Sequence, residues 1–598
     1  MPYHAPMKDM LFVLQELAGL SVVNALPGCE EATRETVEAV LEENAKFCSA
    51  VLAPLNWQAD QQPGFWQNGQ VSTAAGFKEA FKAFAHAGWQ GIQHPCDFGG
   101  QGLPKLIATP CIEMLNSANL SFALCPLLTD GAIEALMTAG SDAQKATYLP
   151  KLVSGQWTGT MNLTESQAGS DLSMVRTRAV AQKDGTNTYK IFGTKIYITY
   201  GEHDMAENIV HLVLARSPGA PEGVKGLSLF LVPKFFVELD GSIGARNDVQ
   251  CLSIEHKLGI KASPTAVLQF GDQGGAIGTL VGEENRGLEY MFIMMNAARF
   301  AVGVQGIGIA ERAYQQAVDF ARTRVQSRGI GGSAEPVAII DHPDVRRMLM
   351  SMRAQVEASR AVAYITAAAA DIAHHSQDEH ACVASKNFYE FMVPIVKGWS
   401  TEMSIDVASL GVQIHGGMGF IEETGAAQYY RDARILTIYE GTTAIQANDL
   451  IARKTVRDGG KVAQDIIAQA RATQATLANS ANADLNIISG ALDVGLSAFK
   501  EVVDYLVANV KTDARVVFAG SVPYLKLVGI VIGGWQMARA ALAAETHLQN
   551  GTNDTDFYRA KIVTARFYAE HILVQALAYR QAILFGGASV LSLDKAQF

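Results

Sequence analysis

Glu440 stands between an apolar run, Ile435-Leu436-Thr437-Ile438-Tyr439, and a Gly-Thr-Thr step. A carboxyl with apolar neighbours resists ionising, so its pKa rises towards the range useful to a general base at neutral pH. Gly441 leaves room for a ligand to come close to the backbone. Thr442 or Thr443 is placed to cap a helix with Ala444, Ala447 and Ile451 on its apolar face and Arg453 and Lys454 in its last turn. The start of such a helix offers free N–H groups to an anion. Its positive end also lowers the pKa of a nearby carboxylate, so a base at Glu440 requires desolvation to outweigh the dipole. The plainer alternative is a carboxylate paired with Arg431 or Arg434 at a helix start.

Other stretches carry polar groups in suggestive order. Met161-Asn-Leu-Thr-Glu-Ser-Gln-Ala-Gly-Ser-Asp171 can present hydroxyls and N–H groups to a polar ligand edge, or be an ordinary turn. Lys195-Ile-Tyr-Ile-Thr-Tyr-Gly201 alternates as a strand does. Gln413-Ile-His-Gly-Gly-Met-Gly419 is a turn whose glycines let backbone N–H groups close on a phosphate. No ligand-type residue stands at metal-binding spacing from His415, and the cluster His374–His380 reads as a solvated loop, so no metal site is expected. No Gly-x-Gly-x-x-Gly follows a strand into a helix, and no Walker A run is present, so a nucleotide site on a βαβ unit is not expected.

The elements that must position these groups change character along the chain. With 598 residues, several domains are expected. Residues 1–157 are helical in pattern. Residues 158–283 become strand-like, in runs such as Ile209-Val-His-Leu-Val-Leu and Leu227-Ser-Leu-Phe-Leu-Val. The helical period returns over 284–460, where Val345, Met348, Leu349, Met352 and Val356 form one stripe of bundle type. Residues 461–598 add further helix. The net charge of −11, without long single-sign runs, argues against nucleic acid or an anionic membrane as the main partner. Seven scattered cysteines without Cys-x-x-Cys spacing read as reduced thiols of a cytoplasmic protein. The N-terminal stretch mixes acid and base into its apolar residues and does not read as a secretory signal. The apolar run at 527–538 reads as too short to span a bilayer.

Taken together, these stretches resemble the acyl-CoA dehydrogenase family. Tyr439-Glu-Gly-Thr442 resembles its catalytic signature, 161–171 its Thr-Glu-Pro-x-Ala-Gly-Ser-Asp motif with Ser166 for the Pro, and 195–201 its Lys-x-Trp-Ile-Thr strand with Tyr197 for the Trp. Lys257–Thr265 resembles its Lys-x-Gly-x-Arg-x-Ser-x-Thr run, with Lys261 where Arg is common, and Arg324-Val-Gln-Ser-Arg328 its Arg-x-Gln-Phe-Gly segment, with Ser327 for the Phe.

The resemblance implies an α+β, mainly α fold: a helical N-terminal domain, a middle antiparallel β-barrel-like domain, a four-helix bundle and an extra C-terminal helical domain. It also implies FAD as cofactor and an acyl-CoA thioester as substrate. Glu440 would remove the α-proton while the flavin takes the β-hydrogen. Leu163, Thr164, Ser170, Tyr197, Thr199 and Thr442 would meet the flavin. Arg324 would meet the dinucleotide phosphates across a homodimer interface, and Gln413, Gly416 and Gly417 would bind the cofactor through the glycine turn. Ser170, Asn296, Arg299, Tyr439 and Gly441 would line the substrate site; Arg299 could instead pair with a carboxylate inside the bundle. Ala298 stands where some members carry the base, which leaves Glu440 as the one family-position base. The N-terminal opening and the C-terminal extension look like the large bacterial subgroup that includes 3-methylmercaptopropionyl-CoA dehydrogenases and enzymes for medium or long acyl chains. Electrons would pass to an electron-transfer flavoprotein. The alternatives are an acyl-CoA oxidase, or a non-catalytic flavoprotein relative that binds nucleic acid.

Overall fold

In the middle of the chain, side chains alternate between two faces and bury both, as in Asn208–Ala215 and Ser228–Pro233, where every residue is buried. The structure, a computed structural model describing residues 2–182 and 187–598, gathers these strands into one eight-stranded sheet. Its strands are β1 (Trp157–Asn162), β2 (Arg178–Ala181), β3 (Thr188–Thr199), β4 (Asn208–Ala215), β5 (Ser228–Pro233), β6 (Val249–Ile254), β7 (Thr265–Phe270) and β8 (Ala276–Val281). The order is β6-β7-β3-β8-β5-β4-β1, with β2 added to β3. All pairs are antiparallel except β1–β4, which is parallel because the chain makes β2 and β3 before returning beside β1. The long β3 pairs with β8 through its first half and with β7 through its second, so the sheet curls around it.

Helices flank the sheet in sequence and in space. The N-terminal part includes α1 (Lys105–Ala118) and the almost wholly buried α2 (Leu120–Ala139). A small hairpin of Phe65–Gln67 and Gln70–Ser72 interrupts an otherwise helical segment. After the sheet come α3 (Gly287–Thr323), α4 (Pro343–His375) and α5 (Glu379–His415), three long helices that pack together. The expected stripe on α4 is confirmed: Met348, Leu349, Met352 and Val356 are buried, and Val345 packs partly against them. His374 and His375 end α4 itself, so the expected loop is shorter than its composition suggested. A fourth, broken leg of the bundle is formed by α6 (Ala426–Ala433) and α7 (Thr443–Asp449), which continues as a π-helical turn to Val456. Glu440 lies in the break between them.

The extension contributes α8 (Ser521–Gln549) and α9 (Thr555–His571). The 527–538 run is therefore part of a 29-residue helix, and the argument from its shortness does not hold. Among the described residues, three helices, α2, α3 and α8, are long and apolar enough to cross a membrane. Their apolar windows are 83%, 67% and 83% buried within the fold, so the protein itself supplies the apolar surroundings.

Candidate active site

The glutamate is held by a backbone that few residues tolerate. Glu440 has φ of +53° and Gly441 has φ of +87°, two consecutive left-handed residues. A non-glycine residue in this region is strained and needs support from its surroundings. Three groups give that support. Lys397 of α5 donates its Nζ to the carbonyls of Leu436 (2.9 Å) and Gly441 (2.6 Å). Gln446 donates its side-chain amide to the carbonyl of Gly441 (3.2 Å). Thr442 caps α7 by accepting from the Ile445 N–H (3.3 Å). On the short α7, Ala447 and, just beyond it, Ile451 are buried, but Ala444 faces out.

Glu440 is half-buried, and its carboxyl hydrogen-bonds to no described residue. Burial raises its pKa, against the partial opposition of Lys397 and then Arg299. Desolvation thus outweighs the nearby positive charge, as a base requires. The pairing with Arg431 or Arg434 does not form. Arg431 binds Asp60 and Glu422, and Arg434 donates to Thr437.

Around this carboxyl the substrate-side residues separate into those near it and those at its margin. Arg299 of α3 is 8% exposed, interacts electrostatically with Glu440, and has an Nε with no hydrogen-bond partner among the described residues. Its Nη1 donates to Asn296 (3.2 Å), which is exposed one turn earlier. Tyr439 sends its hydroxyl to Gln305 of α3, which turns its ring toward the bundle. Neither the Glu440 nor the Gly441 backbone N–H is used within the described chain.

The expected flavin-side residues lie on the sheet and the loop beside it. A β-bulge in the β3–β7 ladder gives Tyr197 a φ of +59° and leaves the residue 61% exposed. A bulge re-aims a side chain in this way. The neighbouring loop is tied to the strand: Ile196 donates its N–H to the carbonyl of Thr164 (2.9 Å), and the buried Lys195 donates to the carbonyl of Leu163 (2.9 Å) and to Glu165 (2.9 Å). Against the desolvation that opposes it, the charge of Lys195, helped by hydrogen bonds from Thr177 and the Arg176 N–H, holds the Glu165 pKa down at about 2. Leu163 and Thr164 are half-buried and Ser170 is exposed. The hydroxyls of Thr164, Ser170 and Thr199 make no hydrogen bond to the described protein. An exposed flat ring beside three uncommitted hydroxyls and a half-buried leucine fits the edge of an isoalloxazine.

The sheet and the glutamate segment are locked by the loop between β6 and β7. Ile260 donates its N–H to Asp432 (2.5 Å), and Arg431 donates to the carbonyl of Leu258 (3.1 Å). Gly259 lies so close that a Cβ there would meet the Arg431 carbonyl at 2.4 Å. The same loop ends in Pro264, whose carbonyl accepts from Tyr200, and Thr265, which pairs with Thr199. Three roles were missed from sequence: Lys397, Asp432 and the Lys195–Glu165 pair. For Lys397 a signal was present, since a lone lysine follows the apolar run Phe391-Met-Val-Pro-Ile-Val396.

A separate cluster lies at the other end of the bundle. Arg324, Gln413, Gly416 and Gly417 are all exposed. His415 stacks on Phe320 of α3 with ring centroids 4.4 Å apart, which holds the ends of α3 and α5 together. At 1.5 Å per residue, Arg324 lies roughly 37 Å along α3 from Arg299, and Gln413 roughly 24 Å along α5 from Lys397. The expected cofactor residues therefore form two groups in one chain, not one. Among the described residues there is no group of three or more metal-ligating side chains.

Comparison with known proteins adds the following. The families described as acyl-CoA dehydrogenase N-terminal, middle and C-terminal domains match residues 34–156, 160–273 and 285–455, and one described as acetyl-CoA dehydrogenase C-terminal like matches 465–594. The chain is 52% identical to a 3-methylmercaptopropionyl-CoA dehydrogenase of Ruegeria pomeroyi, over 99% of this chain and all of that one. It is 33% identical, over the whole of both chains, to the broad-specificity linear acyl-CoA dehydrogenase FadE5 of Mycobacterium tuberculosis. A solved acyl-CoA dehydrogenase of Bacillus anthracis, complexed with FAD, shares the fold with a TM-score of 0.75 at 22% identity, covering 96% of this chain and 91% of that one.

Proposed function

Because this chain belongs to the acyl-CoA dehydrogenase family, an oxidoreductase family with FAD as its cofactor, we propose that Glu440 is the base that takes the α-proton of an acyl-CoA thioester. The observation that supports this most is a half-buried carboxyl with a raised pKa and no hydrogen-bond partner among the described residues, held in a left-handed turn. When bound, FAD supplies the acceptor for the β-hydrogen, which leaves as hydride. A double bond then forms between Cα and Cβ, giving a trans-2-enoyl thioester, and the proton rests on Glu440. The unused N–H of Glu440 is available to the thioester oxygen. Such a preorganised donor contributes a factor of about 10²–10³. Arg299, Asn296, Ser170 and Gly441 would position the CoA arm.

Tyr197, Leu163, Thr164, Thr199 and Thr442 would hold the flavin ring. Arg324, Gln413, Gly416 and Gly417 are too far along the bundle to serve the same ring. They would serve a dinucleotide held by a second copy, which makes the functional unit a homodimer. Electrons would leave for an electron-transfer flavoprotein in the cytoplasm.

The 52% identity to a 3-methylmercaptopropionyl-CoA dehydrogenase supports a thioether acyl-CoA as the first substrate to try. An anaerobic screen of acyl-CoA chain lengths, including 3-methylmercaptopropionyl-CoA, should bleach the flavin with at least one substrate. With that substrate, reduction of an electron-transfer flavoprotein should far outpace peroxide release in air; peroxide as the main product would make the protein an oxidase.

A further inference from the structure

Lys397 is 0% exposed, yet it carries an ammonium on α5 into the heart of the bundle. A buried lysine normally finds a carboxylate partner. Here, among the described residues, no carboxylate lies within ion-pairing distance of it. Its two hydrogen bonds go instead to the carbonyls of Leu436 and Gly441. These two carbonyls bracket the glutamate, one four residues before it and one directly after. The groups that face the lysine are Glu440, Arg299 and Glu402. Glu402 is already engaged, accepting from Thr443 (2.7 Å) and facing Lys526 (3.4 Å). Arg299 is shared with Asp449, and the Tyr439 hydroxyl is turned to Gln305. Glu440 is therefore the one acid in this group whose carboxyl is not committed elsewhere.

We propose that Lys397 is a positioning residue for the base: its ammonium clamps a carbonyl on either side of Glu440 and supplies the counter-charge that favours the ionised form of Glu440 in an apolar site. The proposal rests on Glu440 being the base. Burial and then the neighbouring Arg299 bring the lysine down to about 7, against the pull of Glu440 and Glu402, so its charge is held by little more than these contacts. Two kinds of role can be separated. A lysine that merely fills space or ties the turn would affect the rate equally at every pH. One that also holds the charge would move the pH at which the base becomes active, because removing a nearby cation raises the pKa of a carboxylate.

The test is the pH dependence of the first-order rate of flavin bleaching by acyl-CoA in the anaerobic holoenzyme. Lys397→Met should shift the acid limb upward by about one pH unit or more, and lower the plateau rate by about tenfold to a hundredfold through misplacement of the carboxyl. Lys397→Arg, which keeps the charge, should leave the limb near its original place even if the plateau falls. An acid limb that stays put in Lys397→Met overturns the proposal. Should that variant not yield holoenzyme, Lys397→Gln is read by the same criterion. Glu440→Gln run alongside separates the two ideas: full bleaching there removes the base itself, whereas a dead Glu440→Gln with an unmoved limb in Lys397→Met removes only the role of the lysine.

Discussion

At the scale of single residues, the chemistry turns on how the fold treats one carboxyl. Desolvation raises the pKa of Glu440, and two cations restrain the rise. The protonated form cannot accept an α-proton, so bleaching should slow as pH falls through that raised pKa, giving a single acid limb. Arg299 is the second cation, with an unused buried Nε. Arg299→Met should weaken substrate binding, seen as a KM raised about tenfold or more, with FAD content unchanged. The identity of the base was legible because its neighbours in sequence are also its signature. Its support was legible only as a lone lysine after an apolar run, with no sign of what it holds. Lys397 comes from a helix 43 positions earlier, and only the packing of α5 against the broken leg brings the two together.

At the scale of elements, the decisive contact is the loop between β6 and β7 on the start of the glutamate segment. Asp432 is buried and pushed up to about 7, first by desolvation and against the Ile260 N–H that it accepts. The ordinary aspartate value is about 3.9. The folded state therefore holds this proton more tightly than the unfolded state does. The stability so gained is fully present below about pH 4 and is lost as pH rises through 7. Asp432→Asn keeps an acceptor for Ile260 and should flatten that part of the melting-temperature profile. Asp432→Ala leaves the Ile260 N–H buried and unpaired, which costs about 1–3 kcal/mol, and should slow turnover by loosening Tyr197 and Thr199 relative to Glu440. The strands of the sheet were legible as short apolar runs punctuated by Gly, Asp and Pro. The bulge that turns Tyr197 outward was not, since it arises from register against β7 and leaves no mark in the pattern of β3 itself.

At the scale of the whole molecule, the N-terminal helices, the bundle and the extension are joined by one buried charge network. Arg360, 1% exposed, binds Glu113 of α1 (2.6 Å), Glu311 of α3 (2.8 Å) and Asp9 (2.5 Å). Lys561 of α9 binds the same Asp9, and Glu357 of α4 (3.0 Å). Removing one member of a buried network strands the others, at a cost of about 3–5 kcal/mol. Arg360→Met should therefore lower the melting temperature of the whole chain in a single transition, whereas separate melting of the extension would show that the network does not couple the parts. The helical character of these segments was legible in their periodicity. Their union was not, because the partners Asp9 and Lys561 are 552 positions apart.

The central claim is that the Glu440 carboxyl takes the α-proton. Glu440→Gln keeps the shape and removes the base, so the anaerobic variant should hold its yellow flavin and bind acyl-CoA without bleaching, while the unmodified protein bleaches fully. Complete bleaching of the variant at a comparable rate would contradict the account.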